Sequence, residues 1–141
     1  MTQLLDINVW VAAASHGHLH HRAASAWMNA QQATLAFCRI TQMDLLRHLS
    51  NPAVMRHDIV TRRGAWRVFE ALMADDRVRI LSEPEGLEAL WLKFSAHNDH
   101  SHQLWTDDYL AAFAETVGAT FVTFDAAIEA RYPSVDVLTL R

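Results

Sequence analysis

Four aspartates, Asp6, Asp44, Asp107 and Asp125, stand where a strand pattern ends or a helix pattern begins. In an α/β sheet such positions gather at one edge, the carboxyl ends of the strands, where ligands bind. Carboxylates brought together repel one another unless a cation holds them. Oxygen donors with no cysteine or histidine among them suit a hard ion, so the pattern anticipates a Mg²⁺ or Mn²⁺ site. Each acid also has a local explanation. Asp6 and Asp125 could cap the helices that follow them, Asp44 could pair with Arg47, and Asp107 could complement a helix dipole. Surface caps need not converge, whereas a metal site requires it.

The elements that must position these acids follow from hydrophobic spacing. "LLDINVW" reads as a buried first strand running into a helix, "ATLAFC", "TFVTFD" and "VDVLTL" as later strands, and "VRILSEPEG" as a strand followed by a turn. Between them, "HHRAASAWMNAQQ" repeats its apolar residues at helical spacing. "TQMDLLRHLSNP" reads as a helix capped by Thr41 and stopped at Asn51-Pro52. "RRGAWRVFEALMADD" places Trp66, Phe69 and Leu72 on one face. "GLEALWLKFSAHND", "TDDYLAAFAETVGA" with its Gly118 stop, and "AAIEARYP" complete the helices. Strands separated by helices need crossover connections, which predicts a three-layer α/β/α sandwich around a mostly parallel, Rossmann-like central sheet. No glycine-rich loop follows the first strand, so dinucleotide and P-loop chemistry are not expected.

Composition narrows the classes further. At 141 residues the chain is expected to form a single domain over 1–141 with a substantial core. Its net charge of −4 argues against broad nonspecific nucleic-acid binding. All but one of the twelve basic residues are arginine, the side chain whose planar fork suits phosphate. Arg47, Arg56, Arg62, Arg63 and Arg67 fall close together, as phosphate contacts, a protein interface or a solvated face. The lone Cys38 rules out an internal disulfide and fits a reducing cytoplasm. The N-terminal apolar stretch contains an acid and is far short of the roughly 20 residues of a membrane span, so neither signal peptide nor anchor is expected.

At these motifs the chain resembles the PIN-domain ribonucleases, and more narrowly the VapC toxins of type II toxin–antitoxin pairs. "LLDINVW" is similar to the opening motif, "RITQMDLLRHLSNP" to the second, and "LWTDDYLAAFAETVGATFVTFD" to the third and fourth. The resemblance implies a PIN-like fold and a Mg²⁺-dependent endoribonuclease, with Mn²⁺ able to substitute. In it Asp6, Asp107 and Asp125 hold the metal, Asp44 completes the acidic pocket, and Asn8 and Thr123 brace the carboxylates. The family usually has glutamate where Asp44 stands, a side chain one methylene longer. Asp108 points about 100° away from Asp107 on a helix, so only one of the two can face the site. By the same resemblance the substrate is RNA, a structured RNA such as tRNA being one candidate. The implied partners are a cognate antitoxin and a second copy in a homodimer. Exposed apolar positions between residues 54 and 74 could form part of the antitoxin's groove.

Three other readings stand beside this one. The histidine-rich runs "HGHLHH" (His16, His18, His20, His21) and "HNDHSH" (His97, His100, His102) could suggest a transition-metal site. They lack fixed ligand spacing, and a structural or solvent-exposed role is expected. A PIN-like module could bind RNA or protein without catalysis. A metal-dependent small-molecule phosphohydrolase is disfavoured, because "DINVW" lacks a second aspartate two residues after Asp6. Trp10, Trp27, Trp66 and Trp91 lie on apolar helical faces and are expected in the core.

Overall fold

The computed structural model describes all of residues 1–141. Five strands, β1 (Thr2–Leu5), β2 (Thr34–Phe37), β3 (Val78–Ile80), β4 (Thr120–Thr123) and β5 (Val137–Thr139), form one sheet in the order β3-β2-β1-β4-β5. Every pairing is parallel. Eight α-helices connect them: α1 (Ile7–Ala14), α2 (His21–Ala30), α3 (Arg39–Leu49), α4 (Pro52–Met55), α5 (Arg62–Met73), α6 (Leu87–Ser95), α7 (Trp105–Val117) and α8 (Ala127–Arg131). A 3₁₀ turn, Arg56–Asp58, follows α4.

Adjacent residues of a strand point to opposite faces, and two cores result. Leu4, Ala36 and Phe121 pack under α6, α7 and α8. Leu5, Phe37 and Val122 pack under α1, α2, α3 and α5. Strands covered on both faces read as continuous apolar runs, which is what these segments show. On one side Ala111, Ala112 and Ala114 bring α7 close to the sheet. On the other, Trp10 lies flat on Phe37 at 3.8 Å, with Phe69 edge-on to Phe37 at 5.2 Å.

Parallel strands place all their carboxyl ends at one edge. Asp6 follows β1 there and Asp125 follows its neighbour β4. Helix α7 enters β4 through Gly118, whose left-handed φ of 72° turns the chain at once into the strand. The α7 C-terminus therefore sits at the opposite edge and its N-terminus, with Asp107, at the carboxylate edge.

Four local expectations are corrected. Helix α3 begins at Arg39, directly after β2, so Thr41 does not occupy the cap position. It works from the third helical residue, its hydroxyl folded back onto the Cys38 amide at 3.0 Å. Asp44 consequently lies inside α3, about 8 Å along its axis, and not at a helix start. Helix α7 starts at Trp105, one residue ahead of the "TDDYLAAFAETVGA" segment, and has no side-chain cap. Trp66 is 48% exposed, because Ala65 and Phe69 are the residues of α5 that face the sheet. Trp27 and Trp91 are half-buried, and Trp10 alone of the four is fully enclosed.

Candidate active site

Thr123, the last residue of β4, is the hub of the site. Its wholly buried hydroxyl donates to Asp6 Oδ2 at 2.7 Å and accepts from Asn8 Nδ2 at 3.2 Å and the Asp125 amide at 3.0 Å. One donor and two acceptor positions are thus all used. Asn8 closes the network by accepting from the Phe124 amide at 3.1 Å through Oδ1. The carboxyl ends of β1 and β4 are locked together by side chains as well as by the sheet. Replacing Thr123 by valine should keep the shape and strip out all three bonds. About 1–3 kcal/mol of stability should go, measured by urea unfolding. A 10–100-fold fall in any cation-dependent activity should accompany it.

Three of the four aspartates also make the contact their place in the sequence predicts. Asp6 caps α1, accepting from the Ile7 amide at 2.8 Å. Asp125 accepts from the Ala127 amide at 2.9 Å. Asp44 holds Arg47 at 3.0 Å. Asp107 faces Arg131 of α8 at 3.4 Å, a partner that nothing in the local sequence indicates. Asp108, next in line, turns inward and is buried, receiving the Tyr132 hydroxyl. The helical rotation between neighbours thus sends Asp107 to the acidic edge and Asp108 into the core.

Electrostatics shows how the acids feel one another. Burial raises the Asp6 carboxyl above its ordinary range, its bonds to Thr123 and the Ile7 amide oppose this, and Asp125 and Asp44 push it further up. Asp107 is pushed up to about 6, first by burial and then by Asp6, with Asp125 and Asp108 adding and Arg131 opposing. Burial also raises Asp44, against the pull of Arg47 and His48. Asp6, Asp107 and Asp125 therefore form one interacting acidic group, with Asp44 coupled to it through Asp6. As the side chains stand, no three histidine, cysteine or acidic residues are gathered into a cation cage.

The histidine runs supply no such cage either. His21 Nδ1 meets the Ala12 carbonyl at 2.8 Å, and His20 stacks on Phe124 at 4.6 Å. Cys38 is buried, and burial pushes its thiol up, which removes it as a soft ligand or nucleophile.

The crowding predicts a pH-dependent stability in the metal-free protein. An acid whose folded-state pKa exceeds its unfolded value binds its proton more tightly in the native state, so ionisation costs stability. For Asp107 the cost is absent below about 3.8 and complete above about 6. Asp6 and Asp44 are shifted in the same direction. Thermal unfolding in EDTA should show stability falling as pH rises through this window, and Asp107→Asn should flatten the fall. A wild-type stability that rises across the window would contradict this picture of the site.

A family model described as PIN domain matches residues 4–132, nearly the whole chain. The chain is a member of the PIN-domain family. It is 43% identical over 130 residues to "Ribonuclease VapC41" of Mycobacterium tuberculosis, covering 88% of this chain and 89% of that protein. It is 33% identical over 127 residues to "Ribonuclease VapC38" of the same organism, covering 89% and 86%. Among solved structures, VapBC2 from Rickettsia felis bound to a promoter DNA fragment superposes with a TM-score of 0.71 at 15% identity, over 100% of both chains. The M. tuberculosis toxin VapC20, described as cleaving the sarcin-ricin loop, superposes with a TM-score of 0.68 at 16% identity, over 91% of this chain and 93% of that one. At such identities these two likenesses concern the PIN fold itself, whose parallel sheet and covering helices this chain shares.

Proposed function

We propose that this PIN-domain chain is a divalent-cation-dependent endoribonuclease and the toxin of a type II, VapBC-like toxin–antitoxin pair, acting as one unit over residues 1–141. One observation carries the reading. On a chain 43% identical to a protein named as a ribonuclease, Asp6, Asp107 and Asp125 stand at the carboxyl edge of the sheet, where Asp125 adds to the charge cost of Asp6, and Asp6 and Asp125 add to that of Asp107. A group with that cost and only oxygen donors fits a hard cation, and Mg²⁺ is the natural occupant, with Mn²⁺ able to substitute. In this reading Asp6, Asp107 and Asp125 hold the ion and Asp44 completes the pocket.

A bound cation would offset the charge of the scissile phosphate and make a water more acidic. The protein's own residues do the rest. Thr123 and Asn8 fix the Asp6 carboxylate between two strands and a helix start, so its oxygens need no reordering. Arg131 and Arg47 neutralise Asp107 and Asp44 in the resting protein and are placed to turn towards substrate phosphates instead. The scissile bond is an RNA phosphodiester cut by hydrolysis. A structured RNA with an exposed loop, tRNA among them, fits a site that lies open at a sheet edge.

The structural neighbours from Rickettsia felis and Salmonella typhimurium are VapBC assemblies, and a cognate antitoxin is the matching partner for this chain. The half-exposed Val54, Ile59 and Trp66 offer apolar surface for it, and a homodimer is part of the same reading. No helix is long and apolar enough to cross a membrane.

The test is cleavage of labelled single-stranded RNA by purified protein with Mg²⁺ or Mn²⁺, against EDTA. Cleavage should require the ion and vanish in Asp6→Asn. Asp44→Ala should retain more activity than Asp6→Asn, since Asp44 is set back in α3 and paired with Arg47. That setting-back, with no ready cation cage, favours one second reading, a non-catalytic RNA- or protein-binding module. RNA binding without cleavage under any metal condition would establish it.

A further inference from the structure

Beside the acidic group, on the same edge of the sheet, lies a cavity of about 620 Å³ that the cleavage chemistry does not use. Its floor comes from the start of α3 and the end of β3, through Ile40, Ile80 and Leu81, and its wall from the start of α7. The order β3-β2-β1-β4-β5 puts β2, which leads into α3, next to β1 and the Asp6 that follows it, with β3 one strand further out. Thr106 lines it and Asp107 is the following residue.

Aromatic rings dominate the wall. Trp105 is 55% exposed, an unusual position for a large indole in the first turn of a buried helix. Its backbone is pinned, because the Trp91 indole N–H donates to the Trp105 carbonyl at 3.2 Å. Trp91 stands edge-on to both Trp105, at 6.3 Å, and Tyr109, at 5.4 Å. The rim is polar and of both signs. Glu83 accepts from the Tyr109 hydroxyl at 2.8 Å through Oε1, which orients the carboxylate and leaves Oε2 for another donor. Arg39 lines the cavity from the start of α3.

We propose that this cavity is a nucleobase pocket that receives an unstacked base of the RNA strand next to the scissile phosphate and selects guanine. This deepens the ribonuclease reading and rests on it for the strand's position. An exposed, backbone-pinned indole is a stacking platform, the feature by which proteins take bases from single strands. A carboxylate and a guanidinium then divide the bases. Guanine offers adjacent N1–H and N2–H donors to Glu83 and O6 and N7 acceptors to Arg39, the commonest arginine–base pairing. Adenine lacks both the N1–H and O6. The volume exceeds one base, leaving room for its ribose and ordered water.

The experiment has two arms. In EDTA, without any cleavage, binding of guanosine 5′-monophosphate and adenosine 5′-monophosphate is measured by tryptophan fluorescence on wild type, Trp105→Ala and Glu83→Gln. The guanine nucleotide should bind more tightly to wild type. Trp105→Ala should weaken both ligands roughly tenfold, the loss of one stacked base, and Glu83→Gln should reduce the preference for guanine. With the metal present, cleavage positions on a random-sequence RNA pool are then compared. Wild type should favour guanine at one fixed position beside the cut, and both variants should lose the bias while still cutting. Unchanged cut sites in Trp105→Ala, with active enzyme, overturn the pocket and leave the nuclease standing. No cleavage by wild type removes the nuclease reading, and the EDTA arm still decides the pocket. Equal binding of the two nucleotides by wild type overturns the selection of guanine. Light scattering on the same variants covers the remaining case. Conversion of a dimer to a monomer by Trp105→Ala, without loss of nucleotide binding, would make the face a subunit contact and overturn the proposal.

Discussion

Asp107→Asn is expected to reduce cation-dependent RNA cleavage by at least about 10²–10³-fold while raising the stability of the metal-free protein at neutral pH. The two effects have one cause. Asp107 carries a carboxyl pushed up to about 6, mainly by burial and by Asp6, so its ionised form is costly and is worth having only if an ion binds to it. Asparagine keeps the shape and removes the charge. Loss of a residue that merely supports a metal site costs 10–100-fold, and loss of a metal-holding carboxylate should exceed that, because the charge offset at the scissile phosphate goes with it. The decisive measurement pairs steady-state cleavage of a labelled RNA with thermal unfolding in EDTA and in Mg²⁺. Wild type should gain stability on adding Mg²⁺ and the variant should gain little. A variant that cuts RNA at the wild-type rate would remove Asp107 from the site. Asp108→Asn is the contrasting change. It lies buried against the Tyr132 hydroxyl, so it should affect unfolding and leave the response to Mg²⁺ largely intact.

Trp10→Ala should cost about 3–5 kcal/mol, the largest stability loss foreseen for a single truncation in this chain. Trp10 is wholly enclosed and stacks on Phe37 with an interplanar angle of 8°. Its removal opens a cavity between α1 and the sheet that rigid neighbours can only partly fill. Proteins of this size have about 5–15 kcal/mol in hand, so a large share disappears. Helix α1 begins at Asp6 and carries Asn8, and cleavage should fall with the loosened helix. Trp10→Phe should cost much less, because the phenyl preserves the stack and its substitution deletes an indole N–H that is buried without a partner. Urea unfolding separates the two. A loss below about 1 kcal/mol for the alanine variant would show that α1 is held by other contacts.

The sequence alone determined the alternation of strand and helix and the consequence that the sheet is parallel. Segments such as "TFVTFD" and "TDDYLAAFAETVGA" carry their periodicity and stop signals locally, Gly118 above all. Motif order then pointed to the PIN family, and the local contacts of Asp6, Asp44 and Asp125 were readable because each lies within three residues of its partner. Helix starts were read less well. Thr41 has the chemistry of a cap, but β2 runs straight into α3, so the tertiary path moves the start back to Arg39 and carries Asp44 into the helix. Amphipathic spacing likewise could not tell a core tryptophan from the half-exposed Trp66, since how deep a face is buried depends on what packs over it.

Only the tertiary structure decided the site's connections. Thr123 joins Asp6 and Asn8 across two strands that are far apart in the chain, and Arg131 reaches Asp107 from another helix. Such contacts have no periodic signature, because they exist only once the sheet has set its strand order. The same order places Trp105, Glu83 and Arg39 around one cavity beside the carboxylates. Local sequence fixes which chemical groups the chain has and which edge of its elements they occupy. Which groups meet across that edge is a property of the assembled sheet.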